Sequence, residues 1–524
     1  MKNNNSNQNG DAMSGNEPTG VPRRHKTKVA VWLGVAGICA SGASLIPVGG
    51  HTQAAFVGES EGMLCTDGTP GVGTRTFDLV AADGYISTPD GNAVYNWGFG
   101  TGGRGFQLPG PVLCANQGET IVVNLANQLP VPTSIQFPGQ EGVTANGNPD
   151  GPQVDGLNNL VSLATQAGPT GSVSYSFVAS HEGTYLYESG SDPQLQVQMG
   201  LFGAIVIRPA VAAITAADIL AIPWEDGGAP GLTNEDAGMT PAEAGLAAAG
   251  AACAYASVEV PGTCDPSAIY DGSAERENIL MLSEIDPGLH SFMEQHIAEP
   301  ALLNWKSYPN GFIGRYFLIN GRSMPDTVAP NNAPWLPGQP FGALAHVQPW
   351  DPHDNALDAM IRYVAVGHAG YDFHPHSNHE HVIAADGALM KAANGDDNTE
   401  GKFNIMVTTG GTVDATFRWT NEQNYSDTPG NRVPVVWPQG LNLQEGDFWS
   451  GSPYIGDEGI LNPGILTHTQ CGEYYHVAHN HDLTQVTNYG ITFGGMLTLI
   501  KVEPPKSLQG TRPAGSDFSI PVCD

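Results

Sequence analysis

Short apolar runs bounded by glycine set the strongest limit on what this chain can fold into. Gly183-Thr184-Tyr185-Leu186-Tyr187 and Gly200-Leu201-Phe202-Gly203-Ala204-Ile205-Val206-Ile207 have the length and punctuation of buried sandwich strands. Gly110-Pro111-Val112-Leu113-Cys114 leads into Gly118-Glu119-Thr120-Ile121-Val122-Val123-Asn124-Leu125, where a turn feeds an alternating strand. The 67 glycines and 40 prolines, against only 14% charged residues, extend this reading to many short strands joined by turns. The expected fold is all-β, with β-rich stretches over 75–210 and 276–505 in a chain of 524 residues, long enough for two full cores. No short-period repeat is visible, and the two halves read as two copies of one fold.

The stretch between them differs. Residues 211–275 are rich in alanine and glycine, and Thr240-Pro241-Ala242-Glu243 supplies an N-cap, a first-turn proline and a capping-box carboxylate for one short helix. This is the composition of a helical or irregular inter-domain linker. Residues 420–463 read as a long surface loop and 506–524 as a tail.

The formal charge of -32 comes from scarce Lys and Arg, which excludes the basic footprint that nucleic-acid binding requires. At the N-terminus a polar segment ends in Arg23-Arg24-His25-Lys26, an apolar stretch follows from Val29, and Thr52-Gln53-Ala54 offers small residues for cleavage. Residues 1–54 are therefore read as an export segment, placing the mature chain in the periplasm, at the cell surface or outside the cell. No later segment approaches the roughly 20 apolar residues needed to span a bilayer. Export removes Cys39 and leaves Cys65, Cys114, Cys253, Cys264, Cys471 and Cys523, an even set that fits three disulfides of open pairing, with Cys253–Cys264 the most local.

Chemistry concentrates late in the chain. His374-Pro375-His376-Ser377-Asn378-His379-Glu380-His381 and His476-Val477-Ala478-His479-Asn480-His481 hold seven of the sixteen histidines. Each window contains an H-x-H pair, and residues two apart on a strand share a face. Two such pairs facing each other would build a four-nitrogen site from His374, His376, His479 and His481, a donor set suited to copper, with zinc and iron left open. Odd spacing assigns His379 and His381 to the other face unless the chain turns at Ser377-Asn378. Asp155-Gly156 and Asp386-Gly387 read as turns.

Several segments together resemble the multicopper oxidase family. PGPVLCANQGETIVVNLANQL is similar to its opening strands, and GTYLYESG with QMGLFGAIVIRP to its domain-closing motif. Tyr316-Phe317-Leu318-Ile319-Asn320-Gly321-Arg322, Val382-Ile383-Ala384-Ala385-Asp386-Gly387 and Gly494-Gly495-Met496-Leu497-Thr498-Leu499-Ile500 resemble three later strands. The resemblance implies tandem cupredoxin-like Greek-key β-sandwich domains. It also implies a trinuclear copper cluster on four H-x-H pairs, of which this chain matches the third and fourth. The first pair falls on Gln136-Phe137-Pro138-Gly139 and the second on Tyr187-Glu188-Ser189-Gly190, neither with a histidine. The type 1 copper ligands fall on Tyr371, Asn480 and Gln485, without the thiolate that such a centre needs. Two functions follow from the resemblance. One is an oxidoreductase acting on a metal ion or small reductant, or with a redox protein. The other is a non-catalytic copper-binding or cell-surface protein. Mononuclear hydrolytic or superoxide chemistry is a third reading, and a homo-oligomer is open.

Overall fold

The structure is a computed structural model that describes residues 62–66, 68–101, 103–208, 277–347, 359–376, 379–390, 392, 394, 398–417, 447–448, 459–460 and 474–502. The expected export segment, the linker 211–275 with its Thr240 helix, all but four residues of the 420–463 loop, and the tail lie outside the described residues. So do Cys253, Cys264, Cys471 and Cys523.

In the first half the strands that matter are β1 (Thr74–Ser87), β2 (Ala93–Thr101), β3 (Val112–Asn116), β4 (Thr120–Asn127), β5 (Ser172–Val178), β6 (Gly183–Glu188) and β7 (Phe202–Arg208). β1 pairs antiparallel with β2 and parallel with β4, which pairs antiparallel with β5. Alternation decides their facing: Ile121, Val123 and Leu125 of β4 and Val173, Tyr175 and Phe177 of β5 all turn into one core. The opposing sheet runs β3, β7, β6, with the Cys65–Thr66 strand beside β3. Its strands are buried along nearly their whole length because both of their faces are covered, which is why they read as unbroken apolar runs. A Cys65–Cys114 disulfide pins the edge of this sheet.

The second half uses β8 (Glu277–Ile285), β9 (Tyr316–Ile319), β10 (Ala359–Ala365), β11 (Tyr371–Pro375), β12 (Glu380–Ala385), β13 (Ile405–Val407), β14 (Thr412–Phe417), β15 (Tyr474–Asn480) and β16 (Leu497–Val502). One sheet contains β12, β14, β10, β8 and β9 in that order. The other runs from Ala345–Val347 through β16, β15 and β11 to β13. Tyr363, Phe373, Ile405, Ala415, Ala478 and Ile500 fill the space between the two sheets. Asp386 and Gly387 both take positive φ in the tight hairpin after β12, and Asp155 Oδ1 accepts from the Leu157 and Asn159 amides, so both Asp-Gly pairs are turns.

The two sandwiches share a third core. Val112, Leu186 and Val206 from the first pack against Ile279, Met281, Leu318 and Val364 from the second. A buried polar seam runs alongside. Arg362 Nε lies 2.6 Å from Glu277 Oε1, and Arg362 Nη1 donates to Thr184 Oγ1 at 2.9 Å. Thr184 Oγ1 in turn donates to Asp414 Oδ1 at 2.6 Å.

Candidate metal centre

β11 and β15 are antiparallel neighbours with Phe373 opposite Asn480 and His374 opposite His479. Side chains alternate across a sheet, so this register sorts the histidines without further help. Phe373 and Asn480 turn into the core, while His374, His376, His479 and His481 share the other face. The His376 amide donates to Val477 O and the His481 amide to Asp372 O, which carries the pairing beyond both strand ends. The His374 ring centre lies 4.5 Å from that of His376, 5.7 Å from His479 and 5.2 Å from His481. The rings of His376 and His479 are 4.8 Å apart.

The hydrogen bonds dictate which nitrogens carry lone pairs. Nδ1 of His374 donates to Phe403 O at 2.5 Å, and Nδ1 of His479 donates to Asn480 O at 2.7 Å, so both Nε2 atoms are left as acceptors. Nε2 of His376 sits 2.9 Å from Nε2 of His479, and the buried Nδ1 of His376 has no partner. Two nitrogens that share one ion at about 2.0–2.1 Å and near a right angle stand about 2.9 Å apart, so this contact has the spacing of a ligand pair bridged by a proton. Burial, and then mutual repulsion among the imidazolium forms, holds His376 down to about 3. Burial is also the main reason that His374 and His479 lie below the usual histidine range. Neutral imidazole is the ligating form. Among the described residues no three His, Cys, Asp or Glu side chains converge as a ready metal site. Closing the cluster on an ion therefore requires side-chain rotation, for which His481, exposed at the rim, has room.

The remaining histidines separate from this face. Between Pro375 and Glu380 the chain leaves one sheet for the other, so His381 lies in the opposite sheet, with Nε2 2.7 Å from Thr399 Oγ1. His379 is exposed near Phe403, and His476 is buried on the core side of β15. His290, far from the cluster, is buried with its ring nitrogens 2.5 Å from Tyr95 O and 3.1 Å from Gln198 O.

The positions where the resemblance expected other copper ligands are occupied by closed polar pairs. Gln136 and Glu188 face each other across an isolated β-bridge, with Gln136 Nε2 donating to Glu188 Oε1 at 2.8 Å. Burial lifts Glu188 to about 6, against the pull of that bond. Asn480 Nδ2 donates to Gln485 Oε1 at 2.9 Å and approaches Met496 Sδ at 3.4 Å. Tyr371 OH donates to the buried Glu284 carboxylate. Sequence reasoning missed these pairings, and it missed Phe403, whose carbonyl fixes His374; a backbone acceptor leaves no signal in side-chain chemistry.

The sequence profile of the multicopper oxidase family matches residues 102–211. That match covers β3 through β7 of the first sandwich. The chain is 34% identical across 103 residues to Laccase abr2 of Aspergillus fumigatus, covering 20% of this chain and 16% of that protein. It is 38% identical across 100 residues to Copper resistance protein A of Escherichia coli, covering 19% and 14%. The matches thus span about a sixth of the relatives' length. Among solved structures, the blue copper oxidase from Nitrosomonas europaea aligns with 84% of this chain and 89% of its own at 14% identity and a TM-score of 0.43. The structure itself holds two β-sandwiches in tandem, each with its own core.

Proposed function

We propose that the chain is an exported copper-binding protein of multicopper oxidase ancestry whose metal centre is built from imidazole alone. His374, His376 and His479 would hold the ion and His481 would close over it. The observation that carries this reading is the 2.9 Å approach of the His376 and His479 Nε2 atoms, beside a His374 ring whose tautomer the Phe403 carbonyl sets. The donor chemistry supports copper, since neutral imidazoles suit Cu(II) and the related Copper resistance protein A is named for copper. A bound copper would supply one-electron redox chemistry. The protein's own part is to present the imidazole lone pairs, to hold His374 and His479 by carbonyl hydrogen bonds on their far nitrogens, and to keep all three rings neutral by burial.

The activity that follows is oxidation of a metal ion or small reductant at a centre simpler than a trinuclear cluster. The Gln136–Glu188 pair and the Asn480–Gln485 pair support this, because each satisfies its own hydrogen bonds at positions that would otherwise carry copper ligands. The same observations favour a copper store as the second reading. Metal analysis with electron paramagnetic resonance on the mature protein tests the centre. One tetragonal, nitrogen-ligated Cu(II) is expected, lost when His374→Ala and His479→Ala are combined. Unchanged copper stoichiometry in that variant would overturn the proposal. Turnover of phenols or Fe(II) by the wild type then separates oxidase from store.

A further inference from the structure

The register that pairs β1 with β2 gathers oxidisable side chains at one end of the first core. Tyr85 stands opposite Tyr95 and Asp83 opposite Trp97. Side chains alternate along each strand, so these four share the face that carries Leu79, Ala81 and Phe99 into the core further along. The helix Pro287–Gln295 covers that end with Leu289 and Met293, and its buried His290 holds the β2 backbone through Tyr95 O. Burial then falls off in steps: Trp97 is fully enclosed, Tyr95 is 4% exposed and Tyr85 is 53% exposed at the margin.

The side chains touch in the same order. Trp97 Nε1 donates to Tyr95 OH at 3.0 Å, and the Tyr95 and Tyr85 rings meet edge to face with centres 5.7 Å apart. Each phenol also donates to a carboxylate, Tyr95 OH to Asp83 Oδ2 at 3.1 Å and Tyr85 OH to Glu294 Oε1 at 2.5 Å. The Glu294 bond is the main reason that Tyr85 holds its proton more tightly than an ordinary tyrosine, and burial does the same for Tyr95. Both phenols are therefore neutral in the resting protein. A neutral phenol loses an electron far more easily when its proton leaves with it, because the oxidised phenol is a very strong acid. A carboxylate already bonded to the hydroxyl gives that proton its destination. Tyr489 is as exposed, at 56%, but has the Arg315 guanidinium 5.5 Å from its ring centre, and a cation opposes removal of an electron.

We propose that Trp97, Tyr95 and Tyr85 form a one-electron relay that carries an oxidising hole out of the first core to the surface, where a small reductant quenches it. The relay stands independently of the metal-centre reading above. Its oxidant is a one-electron acceptor, a radical or an oxidised metal complex, that takes an electron from the Trp97 indole. The indole recovers that electron from Tyr95, whose proton moves to Asp83 Oδ2. The Tyr95 radical then takes an electron from Tyr85 and its proton back from Asp83, while the Tyr85 proton passes to Glu294. The hole ends as a neutral radical on Tyr85. A phenolic or thiol reductant restores Tyr85 by giving it one hydrogen atom, and Glu294 releases its proton to water. One electron and one proton have then left the reductant, and the oxidant has gained the electron.

The test uses the full mature chain and laser photo-ionisation of tryptophan, which creates indole radicals whether or not the ring is buried. Transient absorption follows their conversion to tyrosyl radicals, and mass spectrometry maps the stable oxidation products. In the wild type, products are expected at Tyr85, with Trp97 and Tyr95 largely spared. Tyr85→Phe, at an exposed ring, should raise oxidation of Trp97 and Tyr95 at least threefold. Glu294→Gln keeps the ring in place but removes the proton acceptor, and should lower the product yield at Tyr85 in the same experiment by a similar factor. Tyr489→Phe should change none of these yields. Unchanged oxidation of Trp97 and Tyr95 in Tyr85→Phe would overturn the relay. So would equal damage in Tyr489→Phe, because any exposed phenol would then serve. An unchanged Tyr85 yield in Glu294→Gln would overturn the assigned proton route.

Discussion

Glu380 makes the sharpest energetic prediction. It lies on β12 with its side chain fully buried, Tyr363 OH donates to its Oε1 at 2.7 Å, and its Oε2 has no partner. Burial raises its carboxyl from the ordinary 4.5 to about 8, with the Tyr363 bond pulling weakly the other way. The folded protein thus holds this proton more tightly than the unfolded chain does. The benefit is whole below about pH 4.5 and drains away as pH rises through about 8. Each tenfold difference in proton affinity is worth about 1.4 kcal/mol, so the loss from this one group has an upper limit of about 5 kcal/mol. Glu284, raised by burial to about 7, and Glu188, at about 6, push in the same sense. Glu380→Gln mimics the protonated form and keeps an oxygen for Tyr363. Urea unfolding from pH 5 to pH 9 should therefore show wild-type stability falling with pH and the variant falling less, so that the two curves diverge most above pH 8. Parallel curves would refute the reasoning, since a carboxyl that ionises freely in the folded state contributes no such slope.

Arg362→Met strips the counter-charge from Glu277 and Asp414 inside the seam between the sandwiches, and should cost about 3–5 kcal/mol in thermal or urea unfolding. Adding Glu277→Gln and Asp414→Asn should recover part of it; no recovery would mean the seam is held by packing alone. Reducing Cys65–Cys114, or replacing both by serine, releases a link across a sequence separation of 49 and should lower stability by about 4 kcal/mol, read as a shift in the urea midpoint. Asn480→Ala leaves Gln485 and the Asp482 amide without their partner and should cost about 1–3 kcal/mol. It should not change copper content, because Asn480 faces the core rather than the imidazoles; loss of copper would contradict the assigned faces.

Much of the fold was legible because its signals are local. Glycine-bounded runs such as 200–207 became β7, buried throughout except at its last residue, and the alternation through 118–125 became β4. The two H-x-H pairs were legible for the same reason: a two-residue period fixes the face as soon as the segment is a strand. His379 and His381 were harder. Their place depends on where the chain crosses from one sheet to the other, and residue spacing cannot carry that information across a turn.

From its order of residues alone, the chain determined that it would be built of strands and that imidazoles would gather in pairs. Which strands became neighbours was settled by the folded core. Only the β11–β15 register, held by burial of Phe373, Asn480 and Ala478 on its far side, set His374 against His479. Pairing between distant segments is decided by the apolar face that each strand must bury together with its partners, a property of the whole sandwich that no single window of sequence contains.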